Sequence, residues 1–287
     1  MKKLKLLYKL SIVWMVTLSG VSCNGQPRYD SPQEYDLNKP YKYSMPDALT
    51  EISGIAFYRG KTDMLYAEQD EEGRVYSLDL NDPHLMYTKF DKKGDYEDIA
   101  ILSEQVVVLR SDGTLFVFPF NQIGKPVAAN VKKWDNLLPP GEYEGMYADE
   151  KTSQLYILCK HCSEEKTNKN GGGFIFKLLP NGTLKQSGQF GINVRDIETL
   201  LGKKKVQFHP SALAKNPKTN EWYILSSVNK LLVVADAGWK VKAVYPLASS
   251  LFLQPEGIAF DNQNNLYISN EGDKVTKATV LKFNYKK

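Results

Sequence analysis

A short motif recurs five times along the chain and constrains the fold more than any other feature. In each copy the second residue is polar, the third is Gly, Asp or Ala, and an apolar run follows. Further runs rich in β-branched and aromatic residues come after each copy. The copies are ISGIAF (52–57), YEDIAI (96–101), YEGMYA (143–148), PSALAK (210–215) and PEGIAF (255–260). Several short strands per repeat are typical of a β-propeller, because each small sheet buries its faces only against neighbouring sheets.

The spacing of the motifs predicts the number of blades. Counted from the second residue of each copy, the intervals are 44, 47, 67 and 45 residues. The long interval holds a polar, glycine-ended stretch at 163–173, predicted as a mobile hairpin loop, and a stretch at 194–205. There Ile197, Leu200 and Leu201 have helical spacing, so a short helix with Asp196 as its cap is predicted. Neither stretch has the three-strand pattern of a blade, so the fold class is an all-β, five-bladed β-propeller, with six blades as the alternative.

The N-terminus has the pattern of a bacterial lipoprotein signal. Residues 1–22 are Lys-rich and then apolar, and GVSC resembles a lipobox that ends at Cys23, although Gly20 stands where leucine is usual. A plain cleavable signal is the alternative. We expect lipidation of Cys23, a polar tether over 23–40, a propeller over 41–287, and a location in the cell envelope, on the periplasmic side or the outer surface.

The charge of the chain gives no indication of a nucleic-acid partner. Its formal net charge is +4, but residues 1–22 hold four lysines and no acid, so the charge falls to zero without them. Nucleic-acid binding needs a concentrated basic surface, which such a balance does not favour. We expect a monomer, with the membrane as one partner through the lipid anchor and an unidentified small molecule or protein as another.

Two further cysteines stand in the stretch CKHC. Cys159 and Cys162 are predicted to form a disulfide or a pair of partly buried thiols. A haem site would need histidine directly after the second cysteine, where Ser163 stands. A zinc site would need two further ligands of the same kind, and His161 alone does not supply them.

The second residues of the five motifs are expected to meet on the propeller axis, because the first strand of each blade lines the central channel. Three converging carboxylates raise one another's pKa unless a cation neutralises them. Ligands that are only oxygen favour Ca²⁺, so a calcium site is predicted, and a solvated channel lining is the alternative. The predicted metal ligands are Glu97, Glu144, Glu256, Ser53 and Ser211.

Polar residues at the strand ends are expected to form a rim above this ring. Arg110 and Lys160 are predicted either to hold an anionic substrate or to neutralise Glu97 and Glu144. The predicted rim and ligand-binding residues are Arg110, Lys160, His209, Asp70, Asn270 and Glu271, with Glu68, Ser226 and Ser227 at similar strand ends.

The motifs together resemble those of the bacterial SdiA-regulated family over residues 45–286. The resemblance rests on EISGIAF, YEDIA, YEGM, HPSALA and QPEGIAF followed by NLYISNE. It implies a five-bladed propeller distantly similar to NHL repeats, a location outside the cytoplasm and a bound calcium ion. Glu97, Glu144 and Glu256 match the family's motif glutamates, and Ser53 and Ser211 match its serine variants. The resemblance implies no catalytic activity.

Two classes of function are compatible with the sequence. The first is a membrane-anchored, calcium-containing module that binds a ligand or a protein. The second is a metal-dependent hydrolase, similar to phytase-like esterases, phosphodiesterases or lactonases, that uses the mouth of the channel. The chain has no G-x-S-x-G nucleophile elbow, and fold alone does not choose between the classes. Binding is the preferred interpretation, and the catalytic residues of the alternative are unknown.

Overall fold

The computed structural model describes residues 28–162 and 170–286. The predicted signal peptide, Cys23 and residues 163–169 of the predicted hairpin loop lie outside the described residues. Within the described part, no helix is long and apolar enough to cross a membrane.

In this described part of the chain, twenty strands form five antiparallel sheets of four strands each. They are β1 Tyr41–Ser44, β2 Ile52–Phe57, β3 Leu65–Gln69, β4 Glu72–Asp79, β5 Asp82–Lys89, β6 Tyr96–Leu102, β7 Gln105–Arg110, β8 Leu115–Pro119, β9 Lys132–Trp134, β10 Gly141–Asp149, β11 Gln154–Cys162, β12 Asn170–Leu178, β13 Leu184–Asn193, β14 Ala212–Lys215, β15 Trp222–Ser226, β16 Leu231–Ala235, β17 Val241–Pro246, β18 Pro255–Phe260, β19 Leu266–Asn270 and β20 Thr279–Phe283. Blades 1 to 4 are β2–β5, β6–β9, β10–β13 and β14–β17, and blade 5 has the order β1-β20-β19-β18.

The first strand of each blade contacts the first strand of the next, which closes a ring in the order β2, β6, β10, β14, β18 and back to β2. The middle strands of a blade can be apolar along their whole length, because both faces of the blade are covered by neighbouring blades. Every residue of β15 and of β16 is buried, for example. The prediction of a five-bladed propeller is confirmed.

The N-terminal strand closes the ring. Strand β1 pairs antiparallel with β20, with Tyr41 opposite Lys282 and Ser44 opposite Thr279. An outer edge of blade 5 is thereby covered by a strand from the other end of the chain, which removes an exposed pairing edge.

The packed part of the chain begins before residue 41. Tyr35 and Leu37 are buried in the core between blades 4 and 5, although residues 23–40 were predicted as a polar tether. The Tyr35 hydroxyl donates to the Asn264 carbonyl at 2.8 Å and accepts from Asn216 Nδ2 at 3.1 Å. Because this hydroxyl is satisfied inside the protein, the aromatic ring is buried at little cost.

The long third interval is an extended hairpin of β12 and β13 rather than an additional blade. Its glycines lie in strand β12, although 163–173 was predicted as a loop. A Cβ atom on Gly173 would stand 2.0 Å from the Ile157 carbonyl oxygen and 2.6 Å from the Phe190 ring. Glycine is therefore required there by close packing of neighbouring strands and not by a turn.

The predicted helix follows this hairpin as α1, Val194–Leu201. Its cap is Asn193 and not Asp196, because the Asn193 side chain accepts from the Arg195 amide at 3.1 Å. Asp196 lies in the first turn, where a carboxylate favours the positive end of the helix dipole.

Candidate functional site

Each motif glutamate lies at a β-bulge on the first strand of its blade. The pairing of β10 with β11 shifts register between Tyr143 and Gly145, and that of β18 with β19 shifts between Pro255 and Gly257. A bulge leaves one residue out of the ladder and redirects its side chain. This explains why a charged residue precedes a buried strand. The residues within these register shifts are Ser53 with Gly54 in blade 1, Glu97 in blade 2, Glu144 in blade 3 and Glu256 in blade 5.

Close contact between blades fixes the bulged residues in place. A Cβ atom on Gly257 would lie 2.3 Å from the Ser53 carbonyl oxygen and 2.4 Å from Ser269 Oγ. Only glycine fits so near a backbone oxygen, because a side chain would force the two blades apart. The glycines that follow the motif residue in blades 1, 3 and 5 (Gly54, Gly145 and Gly257) thus allow neighbouring first strands to approach closely.

Hydrogen bonds also join neighbouring blades beside the motif residues. Ser211 Oγ donates to the Pro255 carbonyl at 3.1 Å, and Asp98 Oδ2 accepts from the Met146 amide at 2.6 Å. Asp98 is fully buried, and this burial raises its pKa well above the usual range. Ser211 therefore ties blade 4 to blade 5, and Asp98 ties blade 2 to blade 3.

The five predicted ring residues meet at one end of the channel. They line a cavity of about 140 Å³ at the amino ends of the first strands, which we call the acidic mouth. Its lining residues are Ser53, Asp70, Asp95, Glu97, Glu144, Lys160, His209, Ser211, Ser227, Val228, Glu256 and Glu271.

Four of the six predicted rim residues line the acidic mouth, and two lie elsewhere. Arg110 donates to both carboxylate oxygens of Asp112, at 3.0 and 2.6 Å, and to Thr114 Oγ1 at 3.1 Å. Asn270 is buried, and its Nδ2 donates to Thr279 Oγ1 at 3.4 Å. Neither side chain is placed to hold a substrate at the mouth.

Sequence reasoning missed Asp95 and Val228, which also line the acidic mouth. Asp95 comes two residues before the motif glutamate of blade 2, in the connection between blades, and Ser111 Oγ donates to its Oδ2. Connections that enter the first strand run past the channel mouth. Polar residues one to three positions before each motif are therefore the signal that could have found Asp95.

Among the described residues that line the acidic mouth, six carry carboxylates and one is a lysine. Burial, followed by the neighbouring Glu144 and Asp95, raises the pKa of Glu97 to about 10. Burial is also the main cause for Glu256, whose pKa rises to about 7, and for Glu271, whose pKa rises to about 8. Because buried acids outnumber cations, binding of protons or of a metal cation would reduce the repulsion between the carboxylates and stabilise the acidic mouth.

Lys160 neutralises part of this charge. Its Nζ forms an ion pair with Glu144 and lies 3.1 Å from Glu142 Oε1. Burial opposes the charge on Lys160, but these carboxylates outweigh it and raise the pKa of the lysine. Burial raises the pKa of Glu144, and Lys160 partly offsets that increase.

A disulfide borders Lys160. Cys159 and Cys162 are joined, with their Cα atoms 6.0 Å apart, so Lys160 and His161 stand between the bridged residues near the end of β11. His161 Nδ1 lies 2.7 Å from Glu142 Oε2, and its ring lies 4.9 Å from that of His209. The bridge therefore restrains the segment that brings a lysine into the acidic mouth.

The ligand atoms of the acidic mouth suit a hard cation, but the side chains are not arranged to coordinate one. Carboxylate and hydroxyl oxygens are the ligands that Ca²⁺ prefers, and Asp70 Oδ1 is buried without a hydrogen-bond partner. Among residues 28–162 and 170–286, however, no three His, Cys, Asp or Glu side chains are arranged so that they could hold a metal ion. Binding of a cation would therefore require side-chain movement.

Comparisons with known proteins identify the family and support the fold. Structures similar to the chain include a luciferin-regenerating enzyme (TM-score 0.56, 10% identity, 86% of this chain and 95% of that one) and a glutaminyl cyclase from Myxococcus xanthus (0.54, 14%, 86% and 96%). A calcium-binding regucalcin from Agrobacterium tumefaciens is also similar (0.52, 10%, 85% and 92%). No curated protein sequence matches significantly. The family model named SdiA-regulated matches residues 31–274, and the chain therefore belongs to the SdiA-regulated family.

Proposed function

We propose that this protein is a membrane-anchored, extracytoplasmic β-propeller that binds Ca²⁺ at the acidic mouth and presents that mouth to a ligand or protein partner. The observation that carries the proposal is the excess of six carboxylates over one lysine in a cavity of about 140 Å³. A divalent cation would replace the protons that buried acids otherwise retain.

The contacts of the ring residues suggest which of them would hold the cation. Glu97 and Glu256 would be the main carboxylate ligands, because Glu144 is already engaged by Lys160. Ser211 donates its hydroxyl proton to a carbonyl, which leaves its oxygen lone pairs available, and Ser53 lines the same cavity. The ion would offset the mutual repulsion of the acids and fix the side chains around it.

Two features support a location in the cell envelope. The first is the N-terminal pattern that ends at Cys23, and the second is the disulfide, which is typical of oxidising compartments. Arg28 pairs with Asp36 at 3.2 Å, and Asn38 Nδ2 donates to the Tyr29 carbonyl, so the segment from residue 28 is folded on itself. A lipid on Cys23 would be five residues away, which is at most about 17 Å of extended chain. The propeller would therefore lie close to the membrane surface.

A metal-dependent hydrolase is the second candidate function. His209 and Lys160 line the same cavity as the acids, so a base and a cation stand beside the proposed metal. Among the similar structures, a luciferin-regenerating enzyme and a glutaminyl cyclase are enzymes, and the propeller fold hosts many functions.

The two candidates are separated by measurements on mature protein, residues 23–287. Saturating Ca²⁺ at a hundredfold excess over its Kd should stabilise the protein by about 3 kcal/mol, which chelator should remove. Aryl esters, phosphodiesters and lactones should not be hydrolysed with or without Ca²⁺. Turnover that depends on Ca²⁺ and is lost in Glu256→Gln would favour the hydrolase, and a melting temperature unaffected by Ca²⁺ would refute the calcium site.

A further inference from the structure

A second cavity lies at the opposite end of the channel from the acidic mouth. Its volume is about 490 Å³, and it is lined by residues two or more positions beyond the ring residues on the same five first strands, together with the turns that follow. The two cavities share no lining residue. We call the second cavity the apolar mouth.

The wall of the apolar mouth is made mainly of aliphatic and aromatic side chains. Apolar residues from all five first strands contribute, and an alanine on each of these strands leaves room between the larger side chains. The lining includes Ile99, Met146, Leu213, Phe260, Ala56 and Ala148. The opening reaches the surface, because Glu150, Lys151 and Asn262 at its edge are exposed. It is therefore a pocket and not a sealed core void.

Charges around the apolar mouth are balanced, in contrast to those of the acidic mouth. The lining includes three carboxylates and three cationic side chains. Lys215 Nζ stands 3.7 Å from Asp149 Oδ2, with both side chains largely buried, and Arg59 pairs with Glu104 at 2.5 Å. The Glu150 carboxylate accepts from a backbone amide at 3.1 Å. The formal charges of the lining therefore cancel.

We propose that the apolar mouth binds an uncharged, largely apolar small molecule. Pockets of about 300–1,000 Å³ with apolar walls and a few polar groups are typical of small-molecule sites. The balanced charges disfavour an anion or a metal ion, and the cavity size suits a molecule of drug-like dimensions rather than a protein segment. The site is independent of the calcium proposal, because it uses none of the same residues.

Titration with Nile red, an uncharged apolar dye, tests this proposal on residues 23–287. Wild type should give a saturable, blue-shifted fluorescence increase with one site per chain. Ala148→Leu and Ala56→Leu add apolar volume inside the cavity on two different blades, and each should weaken binding at least tenfold. Ala129→Leu adds the same atoms at an exposed position and should leave binding unchanged.

A thermal unfolding transition shows whether each variant is folded. Because two cavity positions are substituted separately, the test remains valid if one of the two variants does not fold. The proposal is overturned if wild type binds the dye only without saturation. It is equally overturned if a folded cavity variant binds as tightly as the Ala129→Leu control.

Discussion

Replacing Glu256 with glutamine should stabilise the calcium-free protein at high pH. Burial is the main reason that the pKa of Glu256 rises from 4.5 to about 7, an effect that repulsion from Glu144 increases and a hydrogen bond from Ser227 reduces. The unfolded chain therefore releases this proton at lower pH than the folded protein does. Stability from this group is complete below about pH 4.5 and is lost as the pH rises through about 7. The shift of about 2.5 pH units corresponds to roughly 3 kcal/mol, an upper estimate for this buried group.

Urea unfolding in the presence of chelator measures the effect. At pH 8, Glu256→Gln should unfold with a free energy higher than wild type by up to about 3 kcal/mol, and at pH 4 the two should agree. Saturating Ca²⁺ at pH 8 should favour wild type instead, because the variant lacks a carboxylate ligand. Glu150→Gln, the same change at the apolar mouth, is the control and should show neither effect. A variant no more stable than wild type at pH 8 in chelator would refute the reasoning.

Three further changes test other parts of the structure. Lys160→Met removes the one lysine that the described residues contribute to the acidic mouth and should tighten Ca²⁺ binding on the order of tenfold. Unchanged affinity in calorimetry would contradict its neutralising role. Gly257→Ala should destabilise by about 3 kcal/mol because its Cβ meets a backbone oxygen of blade 1. Gly191→Ala, whose Cβ would make only an ordinary contact with the Gly171 carbonyl oxygen at 3.9 Å, should be nearly neutral in urea unfolding. Replacing Cys159 and Cys162 with serine should cost about 2 kcal/mol from the short loop they close, and equal stability of the oxidised wild type and this variant would show that the bridge contributes nothing.

The repeat was sufficient to predict the fold and the convergence of the ring residues. Equivalent positions in successive blades occupy equivalent places around an axis, so Glu97, Glu144 and Glu256 were predicted to converge without knowledge of any distance. The bulges that direct these side chains into the channel could not be predicted, because no residue pattern in the motifs distinguishes a bulged residue from a paired one. Gly257 was visible in the motif, but why glycine is required there was not. The requirement comes from a backbone oxygen on a different blade, which leaves no room for a side chain.

Side chains outside the repeat were harder to place. Arg110 ends β7 and Lys160 lies near the end of β11, the equivalent strand of the next blade. Only Lys160 turns into the acidic mouth, because Arg110 has a local partner in Asp112 two residues away. Tyr35 lies in a polar stretch and was assigned to a tether, but two asparagines from distant repeats satisfy its hydroxyl. Such pairings depend on which loops become neighbours after folding, and periodicity carries no information about them.

Equilibrium dialysis of residues 23–287 against Ca²⁺, with metal analysis of the protein, tests the central claim most directly. We predict one Ca²⁺ per chain for wild type and for the Glu150→Gln control, and none at the same free concentration when Glu97→Gln and Glu256→Gln are combined. A wild type that retains no Ca²⁺, or a double variant that still retains one per chain, would contradict the assignment of the acidic mouth as a calcium site.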